Sequence, residues 1–319
     1  MGEQIGIAMV GCGQIAEAHL KGVTAIEGAR LVCCVDSVAK CAQAAADRYQ
    51  SLHWTTDYAE ALDRADVDAV VLCLPHDLHL PFSVAAAEAG KHVLVEKPMA
   101  LNEAEAQKMV AAADRAQVQL SVGQSTRFLN PFQVAKGLMD DIGSVVQVMH
   151  QRTFWIDELS TDWRRLEGAC GGLYLPLFGS HDVDAILWLL NDQPSQVWGA
   201  VRAVSHVSEG DSDGFIGLEF ADGKLGSLAF SVRCKQTRSE TVFVGIEGTL
   251  VVKRNAVLLN GEDVDLPEAE NAFVRQMRAF VDALLAGGET PTQGREVLKV
   301  MRTLDLVRVA SDSGTAVMF

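Results

Sequence analysis

The sequence predicts an α/β protein in two parts. Residues 1–122 form a doubly wound parallel sheet, and residues 123–319 an α+β domain on an open, mostly antiparallel sheet. Three observations carry this. Up to residue 122, apolar runs of five or six residues alternate with alanine-rich amphipathic segments across short joints. The first apolar run breaks into Gly11-Cys12-Gly13-Gln14-Ile15-Ala16, a G-x-G-x-x-A turn that opens into a helix. Beyond Gly123 the strands lengthen and alternate, with Asp222-Gly223, Glu247-Gly248 and Asn260-Gly261 as turn candidates between them.

Taken in order, Gln4 to Val10 is the first strand, and its turn has a physical reading. Gly11 lets the strand turn sharply, and Gly13 lets the backbone approach a pyrophosphate with no Cβ in the way. Ala16 keeps the helix close to the sheet, and the free N–H groups at the helix start face the anion. Arg30 to Val35 is the second strand and ends at Asp36, where a dinucleotide site sets an acid against the ribose. A helix from Val38 to Tyr49 follows, then a short strand near His53-Trp54 and a helix from Tyr58 to Arg64 capped by Thr56-Asp57. Ala69 to Leu74 is wholly apolar, as a parallel strand buried on both faces must be. It ends at Pro75-His76-Asp77-Leu78-His79, before a helix from Pro81 to Ala89 that Gly90 stops. His92 to Val95 leads to Glu96-Lys97-Pro98; a helix from Asn102 to Ala116 and a strand from Val118 to Val122 close the series.

In the second part, strands are expected at 145–154, 197–207, 215–220, 225–232 and 241–246, with helices at 130–139, 181–190, 272–285 and 295–311. The C-terminal helix has the length to pack back on the first domain.

Composition excludes several classes of function. With 27 basic against 42 acidic residues the net charge is −15, which repels nucleic acid and anionic membrane, and no Lys/Arg cluster offsets it. Hydrophobic content of 49% with 8 prolines describes a globular chain without a disordered tail. No window approaches the length of a membrane span. The N-terminus enters the first strand without a secretion signal, so a cytoplasmic protein is expected. Met1-Gly2 opens like a myristoylation site, but Gly6 stands where Ser or Thr is wanted. The cysteines at 12, 33, 34, 41, 73, 170 and 234 form no C-x-x-C and are odd in number. They read as reduced thiols, and neither a disulfide framework nor a metal site is expected.

Ligands of a doubly wound sheet lie beyond the carboxyl ends of its strands, where Gly11–Ala16, Pro75–His79 and Glu96–Pro98 fall. A lysine there, beside a cationic nicotinamide, can exchange a proton with a substrate hydroxyl. A surface lysine before a turn fits the same letters, and a loop histidine such as His76 or His79 is ordinarily only solvated. In Gly171-Gly172-Leu173-Tyr174-Leu175-Pro176-Leu177-Phe178-Gly179-Ser180-His181-Asp182-Val183-Asp184, His181 opens an apolar helix and shares a face with Asp184. A capping or buried structural histidine is the competing reading.

Together the segments GCGQIAEAHL (11–20), PHDLHLPFSVAAAEAGKHVLVEKPMAL (75–101), GQSTRFLNP (123–131), DWR (162–164) and GGLYLPLFGSHDVDAILWLL (171–190) resemble one family. It is that of glucose–fructose oxidoreductase, inositol dehydrogenase and the rhizopine-catabolism protein (Gfo/Idh/MocA), whose first domain is a Rossmann fold. The resemblance implies hydride transfer between NAD(P) and a carbinol carbon of a sugar, cyclitol or related polyol. It makes Lys97 the proton-relay lysine and sets His181 against the reacting hydroxyl. Gly11, Gly13, Gln14, Ile15, Asp36, Leu74, Pro75, His76, His79, Glu96 and Lys97 become the cofactor side. Arg127, Trp163, Arg164, Tyr174 and His181 become the substrate side. One match fails: the family commonly carries Asp four residues before the histidine, where this chain has Leu177. That leaves two alternatives open, an NAD-binding sensor or scaffold without turnover, and an NAD-assisted glycoside-cleaving enzyme. Asp36 favours NAD over NADP, with Ser37 and Lys40 softening the preference. A homodimer or homotetramer is expected through a sheet face bearing Val242, Val244, Ile246, Leu218 and Phe220.

Overall fold

The computed structural model describes residues 4–319, and the Met1-Gly2 start lies outside them. The chain divides into two compact units. One holds the residues up to Ser125 together with Glu270–Leu298, the other Thr126–Ala269 together with Lys299–Phe319. The chain therefore passes between units at three places, where the sequence pattern suggests one.

The first unit contains β1 (Ile5–Val10), α1 (Ala16–Thr24), β2 (Ala29–Val35), α2 (Ala39–Tyr49), β3 (His53–Thr55) and α3 (Tyr58–Leu62). It continues with β4 (Ala69–Leu72), α4 (His79–Glu88), β5 (His92–Val95), α5 (Glu103–Ala116) and β6 (Leu120–Val122). The strands are parallel in the order β3-β2-β1-β4-β5-β6, the doubly wound arrangement expected from the alternation. All six residues of β1 are buried, because helices cover both faces of such a sheet. Caps fall where short polar side chains stand: Asp57 accepts the Ala59 N–H at 2.9 Å, and Asn102 the Glu105 N–H at 2.9 Å.

In the second unit come α6 (Asn130–Leu138), β7 (Val145–Trp155), α7 (Glu167–Cys170), α8 (Ser180–Leu190) and β8 (Pro194–Arg202). After these follow β9 (Asp213–Phe220), β10 (Leu225–Ser231), β11 (Arg233–Gly245), β12 (Thr249–Lys253), β13 (Val257–Leu259) and β14 (Glu262–Asp263). The chain then gives α9 (Ala272–Leu285) to the first unit, runs through α10 (Gly294–Ser313), and ends in β15 (Val317–Met318). The nine strands lie in the order β14-β13-β12-β11-β7-β10-β9-β8-β15, antiparallel except for β7 beside β10. Asn260 (φ 53°) and Gly261 (φ 88°) turn β13 into β14, as a tight hairpin with both central residues left-handed requires.

Two expectations need correction here. Leu218 and Phe220 are each 1% exposed and point into the core, because inward and outward residues alternate along β9. The outer face instead carries Phe215, Leu225 and Met149, beside half-buried Val242 and Val244. The other is β11, which starts at Arg233 rather than 241. Its charged first half has no apolar alternation, and pairing with β7 is what holds it extended.

Candidate functional site

In the first unit the glycine turn is built by close packing. Gly11 has φ +84°, and a Cβ on it would overlap the Cys73 carbonyl oxygen, so only glycine fits. A Cβ on Gly13 would meet nothing within 4 Å, which leaves that backbone open to a ligand. Gln14 is exposed, and Ile15 at the N-cap of α1 makes no side-chain cap bond, so the first N–H groups of the helix are not consumed by a side chain. Asp36 is tied to this turn. Its Oδ2 accepts the Cys12 N–H and its Oδ1 the Val38 N–H, each at 2.8 Å. A pyrophosphate cradle, an unshared helix start and an acid fixed beside them fit a dinucleotide.

The ends of β4 and β5 are joined by His79. Its Nδ1 stands 2.8 Å from the Pro98 carbonyl oxygen and its Nε2 3.0 Å from that of Leu74. It is fully buried, and burial pulls its pKa below the ordinary histidine value although both carbonyls oppose this. His79 is thus a clamp between strand ends, not a side chain lining open space. His76 packs beside it with ring centroids 5.5 Å apart and is also buried, while Leu74 and Pro75 are half-buried. At the end of β5, Glu96 is buried and its Oε1 lies 2.7 Å from His19 Nε2, while Oε2 accepts the Lys97 N–H at 3.2 Å. Lys97 follows, half-buried.

The second unit holds the other group. Arg127 is 3% exposed and forms a two-pronged bond to buried Asp184, with Nε to Oδ2 at 2.9 Å and Nη2 to Oδ1 at 2.7 Å. Tyr174 has no exposed surface; it stacks on Phe230 at 3.8 Å and donates its hydroxyl to Asp182 Oδ2 at 2.6 Å. Neither presents a surface to a ligand, against the expectation that both line the substrate side. Asp182 also accepts from Arg152 at 2.7 Å, and His150 Nε2 lies 3.6 Å from it. Burial pushes its carboxyl upward, but Arg152 and His150 outweigh that and hold it well below the usual carboxylate range. Half-buried His181 adjoins Asp182 at the start of α8, after a π-helical turn over Leu175–Gly179 that contains buried Leu177. Trp163 and Arg164 are half-buried, the guanidinium 5.2 Å from the indole centroid.

Three polar elements escaped the sequence. His19 looked like one more residue of the helix that follows the glycines. The Asp182 network joins residues as far apart as 150, 174 and 182. Asp211 accepts the Leu175 N–H at 2.6 Å and the Leu173 N–H at 3.3 Å across 36 and 38 residues. Only the apolar setting of the first was a signal; the others join residues brought together by the fold across long stretches of sequence. Among the described residues no group of three or more His, Cys, Asp or Glu is placed to hold a metal ion, and no helix is long and apolar enough to cross a membrane.

Comparison with known proteins agrees with the geometry. Residues 5–124 match the oxidoreductase family with an NAD-binding Rossmann fold (Gfo/Idh/MocA), and residues 132–251 its C-terminal domain. The chain is 27% identical to 4-carboxy-2-hydroxymuconate-6-semialdehyde dehydrogenase of a Sphingobium species, over 95% of this chain and 98% of that one. It is 26% identical to inositol 2-dehydrogenase of Rhizobium meliloti, over 93% and 94%. Among solved structures, GenD2 from gentamicin A biosynthesis in complex with NAD superposes with a TM-score of 0.90 at 27% identity, covering 100% of this chain and 97% of that one. With the glycine turn, the anchored Asp36 and the strand order, these matches place the chain in the Gfo/Idh/MocA family of NAD-binding oxidoreductases.

Proposed function

We propose that the protein oxidises a carbinol carbon of a sugar, cyclitol or related polyol with NAD, or runs the reverse reduction. The observation that carries this is Lys97 at the carboxyl end of β5, in the sheet whose β1 end forms the glycine turn. The inositol dehydrogenase among its relatives supports the substrate class. When bound, NAD supplies the hydride acceptor. Gly11, Gly13 and the start of α1 hold the pyrophosphate, and Asp36 accepts from the ribose hydroxyls and disfavours a 2′-phosphate. Lys97 in its amine form takes the hydroxyl proton during oxidation, and as ammonium returns it during reduction. His181 bonds the reacting oxygen, with Trp163 and Arg164 on the substrate side. Arg127 and Tyr174 act from beneath, holding Asp184 and Asp182 of the helix that carries His181. The same reading has the protein working in the cytoplasm as a homo-oligomer joined through the outer face of the nine-stranded sheet.

The test is to mix purified protein with NAD or NADP and a panel of polyols and follow nicotinamide absorbance. Turnover supports the proposal. Tight NAD binding without turnover across the panel favours a sensor or scaffold. Leu177 keeps a third reading in play, since a site without the customary carboxylate suits a redox-neutral cycle; release of an aglycone without net NADH would identify it.

A further inference from the structure

We propose that His19 is a positioning residue for proton transfer, holding Lys97 in place through Glu96. The proposal rests on the reading of Lys97 as the proton carrier. His19 lies in α1, one face of which packs into the apolar core with Leu20 and Val23. Its ring stands edge-on to Phe273 of α9, centroids 5.1 Å apart at 84°. A leucine would fill such a position without any polar cost. The chain instead buries an imidazole to 1% exposure and leaves Nδ1 with no hydrogen-bond partner, a loss that folding has to absorb. What this arrangement provides is a directed bond, Nε2 to Glu96 Oε1 at 2.7 Å, between two buried side chains. The other oxygen of that carboxylate takes the N–H of Lys97. The space is closed on the far side as well, because a Cβ on Gly123 would lie 3.0 Å from Glu96 Oε1. One rigid link therefore runs from the helix that opens at the glycine turn to the backbone of the lysine. Seating of the pyrophosphate and placement of the proton carrier are fixed to the same helix.

Three substitutions separate this role from plain packing. In His19→Gln the amide reaches Glu96 and donates to it; in His19→Asn it is one methylene too short; His19→Leu packs but cannot donate. Each is measured for melting temperature, for NAD and NADH binding by calorimetry, and for the pH profile of Lys97 modification by an amine-directed reagent located by mass spectrometry. Values of kcat and KM are added on any polyol the wild type turns over. The expected result is that all three bind NAD within about threefold of wild type, a difference of well under a factor of ten in affinity. His19→Gln keeps the Lys97 profile and kcat, while His19→Asn and His19→Leu displace the profile and lower kcat by about ten- to a hundredfold with little change in KM, as misplacement of a reacting group does. A His19→Leu protein matching wild type in Lys97 modification overturns the proposal. So does parallel loss of folding in His19→Asn and His19→Leu, which assigns the residue to stability alone. If the wild type turns over no polyol, the functional reading fails, and the Lys97 profiles by themselves still decide the role of His19.

Discussion

At position 177 the chain carries a leucine that is 8% exposed, and an apolar side chain four residues ahead of His181 neither orients an imidazole nor stabilises its charge. Asp182, the next residue after that histidine, gives its carboxylate to Arg152 and Tyr174. Proton transfer should then rest mainly on Lys97. Lys97→Ala is expected to abolish turnover, whereas His181→Ala lowers kcat by about ten- to a hundredfold, the weaker end of acid–base contributions. Equal damage from both substitutions, in proteins shown to bind NAD normally, would refute the division. A second prediction concerns Asp36, whose two bonds to the Cys12 and Val38 N–H groups hold its carboxylate in one orientation. Titration should give NAD a dissociation constant at least about tenfold below that of NADP, a gap of about 1.4 kcal/mol. In Asp36→Ala the ratio should fall toward one. Tighter NADP binding by the wild type would sink the assignment.

Among the elements, the π turn and α8 are held by a carboxylate far away in sequence. Asp211 receives the Leu175 and Leu173 N–H groups, and its own carbonyl accepts the Tyr174 N–H at 2.8 Å. Burial pushes its carboxyl up to about 6, against the pull of the Leu175 N–H and of Arg308. Between its ordinary value of 3.8 and about 6, the folded chain keeps a proton that the unfolded chain has released. Stability from this group is therefore fully present below that window and falls as pH rises through it, by about 3 kcal/mol. Unfolding of wild type and Asp211→Asn compared from pH 4 to 7 should show the difference shifting against wild type by that order. A flat difference, or one of opposite sign, would contradict it. This clamp also shows where sequence reading stops. The glycine turn and the strand ends were legible because their chemistry lies within a few residues and obeys local steric rules. So were Asp57 as a cap and Asn102 as a helix start. The segment from Gly171 to Asp184 showed a histidine opening a helix, but not the π turn, since a run apolar from Leu173 to Phe178 carries no period from which a wider turn can be read. His79 was legible as a residue at a strand end and illegible as a clamp, because both its partners are carbonyl groups and every residue has one.

For the molecule as a whole, the outer face of the nine-stranded sheet raises the question of what covers it. Phe215 is 49% exposed and Leu225 46%, on adjacent strands, with Met149 two strands from Phe215. Apolar side chains gathered in this way favour a second copy of the chain. Sedimentation at micromolar concentration should show a dimer or tetramer, and Phe215→Glu combined with Leu225→Glu should shift it toward the 34.4 kDa monomer. A wild type that sediments at that mass would end the idea. The first unit is discontinuous, and its core draws Met277, Phe280 and Val281 from α9 to lie with Ile5, Leu20 and Val23. During synthesis, the ribosome releases the glycine turn long before its supporting helix α9. The nascent chain has to carry an open apolar flank on α1 while some 250 further residues are made, a wait of roughly ten to fifty seconds at bacterial or eukaryotic elongation rates. The half that binds NAD is thus completed only after most of the other unit has been made, and a chaperone that shields α1 in that interval would act on a surface that the order of translation leaves exposed.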